Sequence, residues 1–247
     1  MTAPSNPLRR PMDLGQIIDT AIRLYRLNFG EFLAIAAVTL PISAASAIAG
    51  GLIEDKVVAA IVTVALAVPS IAIGLVAQAA IVRAVADIDE GVAPDFNSVY
   101  GRVLPRVGTL FLTALRVTVI VVALGITIVG IPYAIYFMVR WVFFTQTIII
   151  DGETSGNATM ASAHIVQGSW WRTFGILIMV GVLASLPAAA VSLLFSAASP
   201  VAANLASAVV AVIVFPFSAG ALTLLFFDLS SRERERSATA DQGLPSA

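Results

Sequence analysis

The stretch from Gly108 to Ile150 constrains this chain most. Two long apolar runs meet there at Gly130-Ile131-Pro132, and Arg116 and Arg140 are the only charges inside them. Gly108 to Val129 is 22 residues and Pro132 to Ile150 is 19. At about 1.5 Å per helical residue, both lengths cover a hydrocarbon core of about 30 Å, so the stretch reads as a transmembrane hairpin. Gly130 is expected to end the first helix in a left-handed turn. Pro132 suits the first turn of the next, where its missing N–H is an orphan anyway. Counted from that turn, Arg140 lies roughly 12 Å and Arg116 roughly 20 Å along their helices. A central arginine costs on the order of 3 kcal/mol on insertion scales, so Arg140 is expected to face the bundle interior or to reach for the inner surface. Thr109, Thr113 and Arg116 share one helical face, which gives Arg116 a polar stripe.

The whole chain follows the same pattern. Of 247 residues, 59% are hydrophobic and 12% are charged, against about 25% charged in soluble domains. This composition implies an integral membrane protein. The net charge of −1 supplies no basic field for nucleic acid. With no cysteine and one histidine, thiolate chemistry is absent, and no cofactor or metal site is expected. The arginine-bearing N-terminus has the wrong layout for a cleaved signal peptide.

In chain order, Asp13 can cap an amphipathic helix whose apolar face holds Leu14, Ile17, Ile18, Ala21, Ile22 and Tyr25, with Gln16, Asp19, Arg23 and Arg26 opposite. It is too short to cross and is expected to lie in the interface. Spans are expected at about 32–52, 57–82, 108–129, 132–150, 174–196 and 201–227. Glu54, Asp55 and Lys56 form a polar turn, and kinks are expected at Pro41, Pro69 and Pro187. Asp87, Asp89 and Glu90 read as a solvated loop rather than a metal site. A second amphipathic helix is expected from Asp95 to Arg106 and a third through Met160, Ala161, His164 and Ile165. Trp170, Trp171 and Arg172, like Tyr25 and Arg26, are placed as interface anchors. Residues 1–230 thus form one polytopic membrane domain, and 231–247 a disordered polar tail.

Eleven of the 14 basic residues fall on the side of the N-terminus, only Lys56 falls on the other, and Arg116 and Arg140 lie within spans. The positive-inside rule then places both termini in the cytoplasm. The fold class expected is all-α integral membrane, six transmembrane helices as three hairpins, each preceded by a short interfacial amphipathic helix. A weak threefold repeat agrees with it. Asn28-Phe29-Gly30-Glu31-Phe32-Leu33, Arg106-Val107-Gly108-Thr109-Leu110-Phe111 and Trp170-Trp171-Arg172-Thr173-Phe174-Gly175 each open a two-span unit.

Three segments carry a resemblance: Pro11-Met12-Asp13-Leu14-Gly15-Gln16-Ile17-Ile18-Asp19 through Leu24-Tyr25-Arg26-Leu27-Asn28-Phe29, Gln167-Gly168-Ser169-Trp170-Trp171-Arg172, and Phe226-Phe227-Asp228-Leu229. Together they resemble the bacterial membrane-domain family named for the membrane region of glycerophosphoryl diester phosphodiesterase. The resemblance implies a six-span protein of the bacterial plasma membrane, with Arg140 and Asp228 as recurring features. The chain departs from that pattern at Ala161, His164 and Gln167, where basic residues are usual. The phosphodiesterase activity is not implied, since its soluble barrel needs paired histidines and metal-binding carboxylates.

Two functions fit the residues. One is a non-catalytic membrane protein binding lipid head groups, a partner protein or a second copy of itself at the cytoplasmic face. The alternative is a transporter or permease for an anionic or lipid-like substrate. Arg116, Arg140 and Asp228 are the candidate anion or ion-pair site: Arg140 and Asp228 lock helices together, or the arginines hold a ligand. An enzyme is not expected, because no nucleophile–base pair or paired carboxylates stand within the spans.

Overall fold

The computed structural model describes residues 8–53, 55–195 and 199–241. Residues 1–7, 54, 196–198 and 242–247, which the sequence reading assigns to tails, a turn, and the end of the fifth span with the loop after it, lie outside them. All regular structure in the described residues is helical. The helices are α1 (Leu14–Leu27), α2 (Phe29–Ala37), α3 (Leu40–Leu52), α4 (Lys56–Asp89), α5 (Phe96–Val103), α6 (Val107–Gly125), α7 (Gly130–Arg140), α8 (Phe144–Gln146), α9 (Ser155–Val166), α10 (Trp170–Phe195) and α11 (Pro200–Asp241). Five helical segments are long and apolar enough to cross a membrane, and α2 with α3 makes a sixth if the bent pair counts as one span. That content is consistent with a multi-pass membrane protein.

Several boundaries depart from expectation, each for a local reason. Pro41 does not kink a helix. It sits in the first turn of α3, after a break at Val38-Thr39 that bends the pair by 53°, because proline costs nothing where a helix begins. At the break the Ala36 carbonyl accepts both the Thr39 N–H (3.0 Å) and Thr39 Oγ1 (2.8 Å). By contrast α4 and α10 run on through Pro69 and Pro187, and α11 also contains Pro216.

The central hairpin turns four residues early, with α6 ending at Gly125 and Ile126 to Val129 forming the turn. Gly130 opens α7 and is not left-handed; among the described residues the positive-φ glycines are Gly91, Gly152 and Gly168. Glycine is needed at 130 for another reason: a Cβ there would stand 1.9 Å from the Leu124 carbonyl oxygen. Further along, the fourth apolar run is interrupted at Trp141–Phe143 and closes in a π-helical turn, Thr147–Asp151. Arg140 therefore ends α7 instead of lying inside a straight span. The break leaves the Arg140 carbonyl and the Phe143 N–H without helical partners, and Ser162 Oγ on α9 meets both (2.9 and 3.1 Å).

The short amphipathic helices pack on protein. Ile17, Thr20, Ala21 and Leu24 of α1 are buried, and two contacts fix its direction: the Met12 N–H donates to Asp228 (2.7 Å) and the Tyr25 hydroxyl to the Ile213 carbonyl (2.7 Å). The thirteen residues between Met12 and Tyr25 rise roughly 20 Å, and the fifteen between Ile213 and Asp228 roughly 22 Å. So α1 lies antiparallel along α11 and gives it the apolar face that was expected to meet lipid. The second helix, α5, continues through a 3-10 turn into α6 as one segment, Phe96–Gly125. The third, α9, packs against α6, α7 and α11. From the residue preceding each helix, the fourth and eighth positions are buried every time: Ile17 and Ala21, Val99 and Val103, Ala158 and Ser162.

These helices place the core at one end. Ala77 to Asp87 of α4 and Ala219 to Leu229 of α11 are mostly buried, together with Phe32, Phe143, Val166 and Ile176. The far halves of the long helices expose Ile61, Val64, Val68, Leu115, Val119, Val122, Leu183 and Leu186. A broad apolar surface of this kind requires an apolar solvent or a partner. At the other, basic end, α11 does not stop near Asp228. It runs helical through Asp241, over the part of 231–247 that was expected to be disordered.

Candidate functional site

The basic end is organised by three carboxylates that are buried to the last few per cent. Asp228 has no exposed surface. It accepts from Arg172 Nη1 (2.6 Å), from Arg232 Nε (2.8 Å) and from the Met12 N–H. The two arginines close the ring by donating to the Met12 carbonyl, Arg172 Nη2 at 2.6 Å and Arg232 Nη2 at 3.3 Å. Asp89, at the end of α4, takes the Leu8 N–H (3.0 Å) and Arg9 Nε (2.8 Å), and the Arg9 guanidinium lies 5.0 Å above the Phe227 ring. Residues 8–12 are thereby strapped across the ends of α4 and α11. Asp87 is held by Arg83 Nε (2.8 Å) on its own helix and by Arg102 Nη1 (2.8 Å) on α5. Asp87 and Asp89 are thus neither a solvated loop nor free to ligate a metal, since arginines occupy their oxygens.

The pairing explains the layout. An unpaired carboxylate at zero exposure is too costly to keep, so each must find cations and donors. Arginine can supply them from outside, because its stem reaches inward while part of the guanidinium stays wet. Arg172 and Arg232 remain 30% and 33% exposed while Asp228 is at 0%.

Beside this ring is a groove of about 570 Å³ lined by Gly168, Ser169, Trp170, Trp171, Arg172, Arg232 and Arg236. Asp228, Arg232 and Arg236 follow one another at four-residue spacing on one face of α11. Arg236 reaches the Gln167 carbonyl and Ser169 Oγ, both at 3.3 Å. Gly168 has φ +78°, and its bare Cα admits the Arg236 guanidinium. Trp170 stacks on Phe174 and Tyr136 and donates through Nε1 to the Tyr136 carbonyl (3.2 Å). Trp171 stands edge-on to it and is 78% exposed. The groove thus holds three guanidinium groups against one carboxylate, next to an uncovered indole.

The other expected site residues are scattered. Arg140 donates to the Tyr136 hydroxyl (3.0 Å) and lies over its ring; it does not meet Asp228, whose partners are Arg172 and Arg232. Arg116 is exposed on α6 and has no partner among the described residues, while Thr113 on the same face bonds Ser155 (2.9 Å). Tyr25 anchors α1 to α11, and Arg26 is exposed. Sequence reasoning missed Asp87, Asp89 and the arginines that hold them. The signals were Arg83–Asp87 and Asp228–Arg232, each at helical i,i+4 spacing.

The three sequence segments behind the family resemblance converge here: Met12, Arg172 and Asp228 come from one segment each and bond one another. Comparison with known proteins gives no matching family model, no matching curated protein and no matching solved structure.

Proposed function

We propose that the chain is a non-catalytic, six-span plasma-membrane protein with both termini cytoplasmic, whose groove at Arg172, Arg232 and Arg236 binds the phosphate of an anionic lipid head group. The observation that carries this is the charge imbalance of the groove: Arg172 and Arg232 share the Asp228 carboxylate, Arg236 adds a third guanidinium that does not bond it, and an exposed indole marks the rim. Guanidinium forks match phosphate oxygens. Tryptophan and arginine together favour the depth of lipid head groups. The basic end then faces the anionic inner leaflet, as the distribution of arginine favours. On this reading the three hairpin units, each opened by an amphipathic helix, form a platform, and Met12, Arg172 and Asp228 build the floor of its site. Membership of the resembled family is part of the proposal and is supported by the meeting of its three segments. The transporter alternative needed Arg116 and Arg140 as one midplane site. Arg116 on an exposed face and Arg140 bound to Tyr136 do not favour it.

The test is native mass spectrometry of the full chain, extracted from vesicles of phosphatidylglycerol and phosphatidylcholine, in wild type and Arg236→Ala. Arg236 makes only two long hydrogen bonds, so its loss leaves the fold intact. The expected result is preferential retention of phosphatidylglycerol by the wild type and a loss of about tenfold in the variant, or roughly 1.4 kcal/mol. Equal retention of both lipids by the wild type, or no change in the variant, refutes the site.

A further inference from the structure

On the opposite face of the same helical extension lies a second site of different chemistry. Ser230, Arg234 and Ser237 follow at i, i+4 and i+7 along α11, turned away from Arg232 and Arg236. Ser230 and Arg234 line a cavity of about 140 Å³ with Arg9, Asp151 and the rings of Phe226 and Phe227. The cavity opens into a shallower cleft of about 420 Å³ that Asp151, Ser230 and Arg234 share with Glu233 and Ser237. Three of its polar groups make no hydrogen bond among the described residues. Ser230 Oγ is buried and has no hydrogen-bond partner. The Arg234 guanidinium and the Asp151 carboxylate make no hydrogen bond or salt bridge among the described residues; they attract each other across the cavity, where Asp151 also feels the charges of Arg9, Glu153 and Glu233. Arg9 is already neutralised by Asp89, and Glu233 is engaged by His164.

We infer that this cavity binds an aminoalkyl phosphate, a small zwitterion with a phosphate and a nearby ammonium. The free groups are one cation with a hydroxyl donor and one anion, so a ligand satisfying all of them must carry both signs and stay close to neutral. A plain anion would meet Asp151 with like charge, and a plain cation would meet Arg234 the same way. Phosphate suits the donor side because Arg234 and Arg9 offer several N–H groups to its oxygens, with the buried Ser230 hydroxyl behind them. The ammonium goes to Asp151. Two sources supply this chemistry: the head group of an ethanolamine phospholipid, or free phosphoethanolamine in the cytosol. The cavity is separate from the anionic-lipid groove and does not depend on it.

The experiment is isothermal titration of the full chain in detergent with two probes, phosphoethanolamine and inorganic phosphate, in wild type, Arg234→Gln and Asp151→Asn. Neither side chain makes a hydrogen bond among the described residues, and thermal melting checks that both variants are native. Arg234→Lys is the conservative control and retains binding. The wild type is expected to bind phosphoethanolamine saturably, and each variant at least tenfold more weakly. Inorganic phosphate separates the two ends: Arg234→Gln weakens it, whereas Asp151→Asn binds it as well as the wild type or better. The inference is overturned if the wild type does not bind phosphoethanolamine, or if Asp151→Asn leaves that affinity unchanged. Repeating the titration in nanodiscs identifies the source. Phosphatidylethanolamine discs that abolish free-ligand binding, where phosphatidylcholine discs do not, indicate a lipid head group, and binding intact in both indicates the soluble compound. Phosphatidylglycerol retention in the same preparations reports on the groove, so the two sites hold or fail separately.

Discussion

Asp228→Ala is the most informative single change, because the structure and the unaided sequence disagree about what it would disturb. Asp228 is fully buried and accepts two charge-assisted bonds and one backbone bond. Removing one member of a buried ion pair costs about 3–5 kcal/mol. Here the surviving arginines are each about a third exposed and can rehydrate, which points to the lower end, about 3 kcal/mol. At roughly 2–4 °C per kcal/mol for a chain of this size, the melting temperature should fall by about 6–12 °C. The Met12 N–H also loses its acceptor, so the strap over residues 8–12 should loosen and trypsin should cut after Arg9 faster than in the wild type. Both readouts use the intact protein in detergent. A double-mutant cycle then names the partner. Asp228 with Arg172 should couple by about 1–3 kcal/mol, and Asp228 with Arg140 by no more than about 0.5 kcal/mol. Coupling concentrated on Arg140, or a variant that melts with the wild type and keeps its strap protected, would refute the reasoning.

Three other outcomes follow from local geometry. Gly130→Ala should destabilise the hairpin by more than about 2 kcal/mol, since its Cβ would overlap the Leu124 carbonyl oxygen; Gly101→Ala, with open space at its Cβ, is the control and should melt with or above the wild type. Gln146 is fully buried and neither its amide oxygen nor its nitrogen has a partner among the described residues, so Gln146→Leu should stabilise by about 1–2 kcal/mol; a lower melting temperature in that variant would mean that the amide is engaged. Burial pushes the Tyr25 phenol above its ordinary 10.0, and the neutral form is the one that donates to Ile213. This contact is therefore at full strength below pH 10 and is lost as pH rises through the folded value, an alkaline step in the melting profile that Tyr25→Phe should lack.

Much of the architecture was legible because hydrocarbon imposes length and composition directly. The apolar runs expected at 57–82, 108–129, 174–196 and 201–227 could be counted from the sequence and overlap α4, α6, α10 and α11, and the amphipathic stripe of Ile17 and Ala21 was legible too. What covers such a stripe was not. Lipid and the flank of α11 satisfy an apolar face equally well, and only the contacts of Met12 and Tyr25 decide between them. The site failed in a related way. Arg140 and Asp228 stood out as charges at apolar positions, but the true partners, Arg172 and Arg232, looked like surface residues. Gly130 was read as a left-handed turn because glycine commonly serves there, whereas the constraint is the close approach of the Leu124 carbonyl oxygen across the hairpin turn.

The asymmetry between carboxylate and guanidinium accounts for both the success and the failure. Asp87, Asp89 and Asp228 sit where long apolar helices reach the basic end, so each looks in the sequence like the first polar residue after a span. A short side chain there cannot reach water past neighbouring helices, and it stays charged only if cations come to it. Arginine can come from far away in the chain and keep its head partly wet, so the desolvation cost falls mainly on the aspartate. Asp228 takes cations from α10 and α11, Asp87 from α4 and α5, and Asp89 from the segment before α1. Each buried acid thus ties together segments that apolar packing alone would leave free to slide. Arg234 and Arg236 hold none of these three acids, and the two proposed phosphate sites rest on them.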